Sequence, residues 1–208
     1  MAQKRKDWNG LISGFKASDL VFLDESGCNT DMTRRYAYSL GGSRAVDSAP
    51  LSKPKNTTIL SSIQLDWTLR YTTFSGGTTV ERFKRYLETD LLPHLNGNSV
   101  LIMDNMKSHH AKAVKNLLDS SEVRYIYLPP YSPDLNPIEK LWSKVKSFLR
   151  KFKARTLDAL PNAIQCAFQT VSPSDCSGWF HSCGYSPYFL KIAIEAVQAQ
   201  VWTRLFCF

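Results

Sequence analysis

Two short apolar runs, each closing on an aspartate, constrain this chain more than any other feature. Leu20-Val21-Phe22-Leu23 leads into Asp24, and Val100-Leu101-Ile102-Met103 leads into Asp104. Four apolar residues followed by an acid read as a strand buried on both faces, with its last residue emerging at a sheet edge. Alternation puts Phe22 and Asp24 on one face of their strand, and Ile102 and Asp104 on one face of theirs. If the strands are neighbours, the two carboxylates converge beyond the carboxyl ends of the sheet, where α/β folds bind ligands. Carboxylates held together repel unless a proton or a divalent cation lies between them. Oxygen-only donors select hard ions such as Mg²⁺ or Mn²⁺. Each aspartate taken alone is also compatible with a solvated strand end or a turn cap.

The remaining pattern is α/β. Thr57 to Ile63 and Thr68 to Phe74 are β-branched and aromatic-rich, and the short Gln64 to Trp67 link predicts a hairpin. Gly76-Gly77 breaks that strand, and Thr78 or Thr79 can cap a helix running toward Leu92. A helix is expected around His110 to Leu118 and a strand over Val123 to Leu128. The Pro129-Pro130-Tyr131-Ser132-Pro133 run continues neither. Next, Asn136 is an expected N-cap, Pro137 a first helical residue, and Glu139 falls three after the cap. Ile138, Leu141, Trp142, Val145, Phe148, Leu149 and Phe152 keep one apolar helical face. Glu139 is therefore either a third site carboxylate or the acid of a capping box reaching back to Asn136. One further helix follows Thr156; another has Ser172 as cap, Pro173 as first residue and Gly184 as terminator. Glu25 falls on the opposite strand face from Asp24 and is set aside.

Composition narrows the partner. The formal charge is +8 in 208 residues, a one-domain length, which favours a polyanion: nucleic acid, or an anionic membrane surface. No run of 18 uncharged apolar residues offers a bilayer span, and no signal-peptide stretch follows the basic Met1 to Asp7, so secretion is not expected. Five cysteines, an odd number with no zinc spacing, read as reduced thiols of a cytoplasmic protein. Lys140, Lys144, Lys146, Arg150, Lys151, Lys153 and Arg155 fall in one stretch without an acid, and Lys146 lies two turns from Glu139. Arg34 to Pro50 reads as a basic surface ribbon or loop, and Arg34, Arg35 and Arg44, with Lys53 and Lys55, form a second basic group soon after Asp24. Such runs are either solvated faces or contacts to nucleic-acid backbone; backbone contact is the expectation here.

Three blocks carry a resemblance. They are Leu-Val-Phe-Leu-Asp-Glu-Ser-Gly from Leu20, Ile102-Met103-Asp104-Asn105 followed by Ser108-His109, and the continuous run from Leu128 to Trp142. Together they resemble the catalytic blocks of mariner-like transposases, most closely the bacterial insertion-sequence branch. The 34 residues between Asp104 and Glu139 match the spacing typical of that branch. The resemblance runs from about Asp7 to Tyr185. It implies a ribonuclease H-like fold: a mixed five-stranded sheet flanked by helices, three antiparallel strands first and two more parallel to the first. It implies a DDE triad of Asp24, Asp104 and Glu139 holding two Mg²⁺ or Mn²⁺ ions. The reaction implied is cleavage at transposon ends and joining of the freed 3′-hydroxyl to target DNA, usually at a TA dinucleotide. Asn105 and His109 stand where the family commonly carries such residues, to orient a metal-bound oxygen or a phosphate; alternatively His109 caps or precedes a helix.

The expected organisation is a basic N-terminal segment over 1–19, a catalytic domain over 20–185, and an atypical tail over 186–208. That tail is either an amphipathic helix or translated flanking sequence. Nineteen residues are too few for the helix-turn-helix region that recognises transposon ends, so an upstream frame or a fusion is expected to supply it. Self-association on DNA and a nucleoid-associated bacterial location, with no membrane contact, complete the expectation. Two rivals share the carboxylates or the charge: another ribonuclease H-like nuclease, and a truncated DNA-binding remnant without catalysis.

Overall fold

A computed structural model describes residues 2–34, 36–48, 50 and 54–185; Arg35, Lys53 and the 186–208 tail lie outside the described residues. The sheet is built around β1 (Leu20–Cys28). It pairs antiparallel with β2 (Thr57–Gln64), which pairs antiparallel with β3 (Leu69–Ser75). On its other edge β1 pairs parallel with β4 (Val100–Met103), and β4 pairs parallel with β5 (Arg124–Tyr127). The spatial order is β3-β2-β1-β4-β5, the mixed ribonuclease H-like sheet expected above.

Alternation along β1 and β4 divides the core between two helical layers. Leu20, Phe22, Val100 and Ile102 face α4 (Ile138–Phe152), α5 (Leu160–Gln169) and α6 (Pro173–Ser182). Val21, Leu23, Leu101 and Met103 face α2 (Val80–Tyr86) and α3 (Lys112–Ser120). All eight strand residues are essentially fully buried, which explains why both strands read as continuous apolar runs. Each such side chain contributes about 1.5–3 kcal/mol of burial free energy. Residues read as a basic N-terminal segment also join this core. They form α1 (Ala2–Ile12), whose Trp8 is buried in the α4 layer, and Arg5 pairs with Asp134.

Local signals mostly acted as their chemistry requires. Thr79 caps α2 by accepting from Arg82 N, although the α-helix stops at Tyr86 and the chain reaches Leu92 through a π-turn. Ser172 and Asp175 form the reciprocal capping box of α6, and Gly184 takes the positive φ (86°) beyond its end. The expected cap on α4 did not form. Pro137 holds that position without a side-chain bond, and the buried Asn136 Oδ1 has no hydrogen-bond partner among the described residues. The tight Pro133–Leu135 turn just before it keeps Asn136 from a cap's place.

Among the described residues no helix is long and apolar enough to cross a membrane. The described cysteines are free, and burial pushes the thiols of Cys28 and Cys176 up to about 11.

Candidate active site

The register of the parallel pair sets the site. Leu23 stands beside Met103, so Asp24 and Asp104 follow at adjacent positions on the α4 face. The two strands do not end alike, however. β4 stops at Met103 and Asp104 is the first residue past it, whereas β1 runs through Asp24, opposite Ser61, to Cys28. The reading of Asp24 as a strand end is thus corrected: the antiparallel ladder with β2 carries the strand four residues further. Leu128 N donates to Met103 O (2.8 Å), which brings the proline-rich connector against the end of β4. Glu139 sits in the first turn of α4, exposed, its carboxylate bonded to nothing among the described residues. With no capping box to hold it, that side chain is left for the cavity. Asp24, Asp104, Glu139, Asn105 and Asn136 together line a cavity of about 430 Å³.

The two aspartates occupy opposite electrostatic environments. Asp24 is 7% exposed. Its Oδ1 accepts from Glu25 N (2.7 Å) and its Oδ2 from Trp142 Nε1 (3.2 Å). Burial, then repulsion from Asp104 and Glu139, pushes Asp24 up to about 7 despite these two donors. Asp104 is far more open, its side chain 43% exposed. Partial burial works to raise its pKa, but hydrogen bonds from His109 and the Met106 N–H hold it below the usual carboxylate range. His109 Nδ1 lies 2.8 Å from Asp104 Oδ1, and His109 Nε2 lies 3.2 Å from Glu25 Oε2. Burial alone would lower the His109 pKa; its two carboxylate partners instead push it up to about 9. The ring is fully buried and stacked on Phe83, with centroids 4.3 Å apart. His109 therefore faces Asp104 and Glu25, not the cavity.

Three carboxylates from three elements, with no histidine or cysteine among the described residues lining the same cavity, suit a hard divalent cation. Burial is the larger cause of the upward push on Asp24, and repulsion from Asp104 and Glu139 adds to it. As placed they are not closed onto a common point: among the described residues no group of three His, Cys, Asp or Glu side chains is arranged to hold an ion. Both oxygens of Asp24 and one of Asp104 are engaged by protein donors, while Asp104 Oδ2 and the Glu139 carboxylate meet none among the described residues. The donor set fits a divalent ion.

The basic residues singled out in the sequence divide into separate groups. At 3.6 residues per turn, Lys146 and Arg150 share roughly the flank of Glu139, whereas Lys140, Lys144 and Lys151 lie about 100–140° further round α4. Lys146 and Arg150 line a cavity of about 840 Å³ with Arg34. Lys140, Lys144 and Lys151 line another, of about 600 Å³, against Trp179 of α6, where Lys144 pairs with Asp175. Lys153 closes α4 in the left-handed region (φ 55°) and pairs with Asp47. Arg155 donates to Thr30 O and Met32 O, fastening the chain after β1. Arg44 is exposed in irregular chain. Asn105 donates to Leu128 O (2.6 Å), so its amide fixes the connector.

Sequence reasoning passed over two residues of this site. Trp142 was read only as part of an apolar face, yet its indole N–H reaches Asp24. Glu25 was set aside for facing away from Asp24, and that face is where it meets His109. Indole always carries a donor that burial must satisfy, which was a usable signal for Trp142; for Glu25 the sequence held none.

A family model described as DDE superfamily endonuclease matches residues 19–161. The Tc1 transposase of Caenorhabditis elegans is 28% identical over 97 residues, covering 45% of this chain and 36% of that protein. Among solved structures, a pre-cleavage Mos1 transpososome superposes with a TM-score of 0.75 at 18% identity, covering 88% of this chain and 59% of that one. The Mos1 transposase catalytic domain with Raltegravir and Mg superposes at 0.66 and 16% identity, covering 87% and 88%. The chain thus spans about a third of the Tc1 protein and three fifths of the Mos1 chain in the transpososome, and has the fold of the Mos1 catalytic domain.

Proposed function

We propose, from the premise that this chain belongs to the DDE superfamily endonucleases, that it is the catalytic part of a transposase. It cuts DNA at transposon ends and joins the freed 3′-hydroxyl to target DNA. One observation carries the reading: Leu23 beside Met103 in parallel register, which sets Asp24 and Asp104 side by side on the cavity that Glu139 also lines. The Tc1 and Mos1 likenesses support transposition in particular, over other phosphodiester chemistry. The block sequences and the spacing between Asp104 and Glu139 favour the bacterial insertion-sequence branch of the mariner-like superfamily.

Asp24, Asp104 and Glu139 hold two Mg²⁺ or Mn²⁺ ions in this proposal. When bound, such ions supply charge neutralisation at the attacking and leaving oxygens of a phosphodiester displacement. The protein's own part is orientation. Trp142 and the Glu25 N–H fix the Asp24 carboxylate, and His109 fixes that of Asp104. Arg34, Lys146 and Arg150 hold backbone phosphates in the adjoining cavity. End recognition comes from a helix-turn-helix region in a fused or partner chain, and the chain self-associates on DNA.

Incubating the purified chain with supercoiled plasmid and Mg²⁺ tests this. Mg²⁺-dependent nicking is expected, abolished by chelation and lowered about 10³-fold or more by Asp104→Asn, with folding and DNA binding retained. Undiminished nicking by that variant overturns the triad. Binding without nicking by the wild type favours a non-catalytic remnant, and activity confined to branched DNA or RNA–DNA hybrids favours another nuclease.

A further inference from the structure

Glu25 has no part in the carboxylate set, yet the fold spends much on it. Its side chain is only 10% exposed, and one carboxylate oxygen, Oε1, is buried with no hydrogen-bond partner among the described residues. A half-satisfied buried carboxylate costs stability unless its other oxygen is strongly engaged. Here Oε2 meets His109 Nε2 at 3.2 Å. Phe83 stacks on the face of the imidazole, and the His109 backbone is held by its N–H donating to Met106 O (3.0 Å) and its carbonyl accepting from Tyr127 Oη (3.0 Å). What these contacts leave open is which way the two ring nitrogens face, and the other nitrogen, Nδ1, lies 2.8 Å from Asp104 Oδ1 and 3.3 Å from Asp104 O.

Resting on the function proposed above, we infer that Glu25 is a positioning residue for Asp104. It grips His109 Nε2 from the opposite face of the sheet, so that Nδ1–H donates to Asp104 Oδ1 and Oδ2 stays turned to the cavity. The line Glu25–His109–Asp104 crosses the sheet where β4 has ended, so a carboxylate beyond its own strand is held through the neighbouring one. An outer hydrogen-bond partner of this kind orients a ligating group, and its loss typically costs roughly 10–100-fold in activity or metal affinity.

The test compares Glu25→Ala with Glu25→Gln in the full chain. Glutamine offers both an acceptor and a donor and so can meet Nε2 in either protonation state. Three quantities are read: melting temperature, kcat and KM for Mg²⁺-dependent nicking, and the His109 ring N–H signal in ¹⁵N-histidine NMR. The chain has four histidines, so assignment is tractable. Glu25→Ala is expected to lower kcat roughly 10–100-fold at unchanged KM for DNA and to lose the protected Nδ1–H signal. Glu25→Gln keeps the signal and most of the kcat. A kcat that falls equally in both variants together with melting temperature makes Glu25 merely structural and overturns the inference, as does a Glu25→Ala protein with wild-type kcat and signal. Should the wild type not nick DNA at all, the function proposed above fails separately. The NMR comparison then decides alone: persistence of the Nδ1–H signal in Glu25→Ala overturns the inference and its loss supports it.

Discussion

Asp24 and Asp104 follow nearly interchangeable sequences, four apolar residues then an acid, and stand side by side in space, yet the fold treats them oppositely. Asp24 lies inside a strand that continues to Cys28, is 7% exposed, and is pushed up to about 7. Asp104 lies one residue past a strand that has stopped, is 43% exposed on its side chain, and is held below the usual carboxylate range. The difference comes from the neighbours of each strand. β1 has β2 beyond it to extend the ladder, while β4 meets the turn at Met106 that brings His109 onto Asp104. One member of the pair is thus protonatable near neutrality and the other is fixed as an anion. Two carboxylates with such divergent environments are what a site needs if it must tolerate their proximity before a cation arrives.

The sharpest way to break this comparison is through stability in chelator. An unfolded aspartate loses its proton near pH 4, and folded Asp24 keeps its proton to about 7, so the folded state binds more protons in that window. The contribution of Asp24 to wild-type stability therefore falls as pH rises from about 4 to 7. Asp24→Asn removes that fall and makes the variant more stable than wild type at pH 8, by on the order of 2–4 kcal/mol. Asp104 runs the other way: its contribution is present above its unfolded pKa and is lost only as pH falls through its lowered folded value. Asp104→Asn should keep most of the pH 4–7 slope, which burial of Asp24 sets, and lose only the part due to repulsion from Asp104. Urea melts across pH read both, and the difference between wild type and Asp24→Asn isolates Asp24, because His109 keeps its own decline toward pH 9 in each. Equal slopes in wild type and Asp24→Asn would break the contrast.

A smaller effect sharpens it on the DNA side. Beyond Asp24 the continuation of β1 borders the cavity of Arg34, Lys146 and Arg150, whereas among the described residues no lysine or arginine lines the cavity that Asp104 and Glu139 share. Replacing Lys146 and Arg150 together by alanine should weaken binding to random duplex and flatten its salt dependence by about two in log–log slope. The Lys140 and Lys151 pair, on the other flank of α4, should change the slope without changing nicking of bound DNA. Fluorescence anisotropy between 50 and 200 mM salt, the range in which roughly 10³–10⁵-fold losses are ordinary for such binding, reads the slope of each pair, and nicking of bound DNA, expected to fall only for the pair on the Glu139 flank, separates the two. Identical behaviour of the two pairs would remove the distinction between the flanks.

What was legible in the sequence was what local chemistry dictates. The Ser172–Asp175 box and the two buried apolar strands follow from residues a few positions apart. So does the long helix, whose apolar face repeats through Leu149. Where competing partners lie far off in sequence, reading fails. Asn136 has every property of a cap, but the turn at Pro133 sets the helix one residue later. Asp24 looked like a strand end because Glu25, Ser26 and Gly27 are not apolar; the ladder with β2, some thirty residues away, extends the strand regardless. The charged stretch of α4 read as one surface, and helical geometry splits it into two flanks that a linear count does not show. Glu25 illustrates the limit best, since its meaning depends on His109, 84 residues later and across the sheet.

The central claim is that Asp24, Asp104 and Glu139 form one divalent-cation centre. Titration of the full chain with Mn²⁺ at pH 8, followed by electron paramagnetic resonance, tests it most directly. The wild type should take up two ions, and Asp24→Asn and Asp104→Asn should each weaken uptake by about tenfold or more. Wild-type uptake in both variants, or no uptake by the wild type, would contradict it.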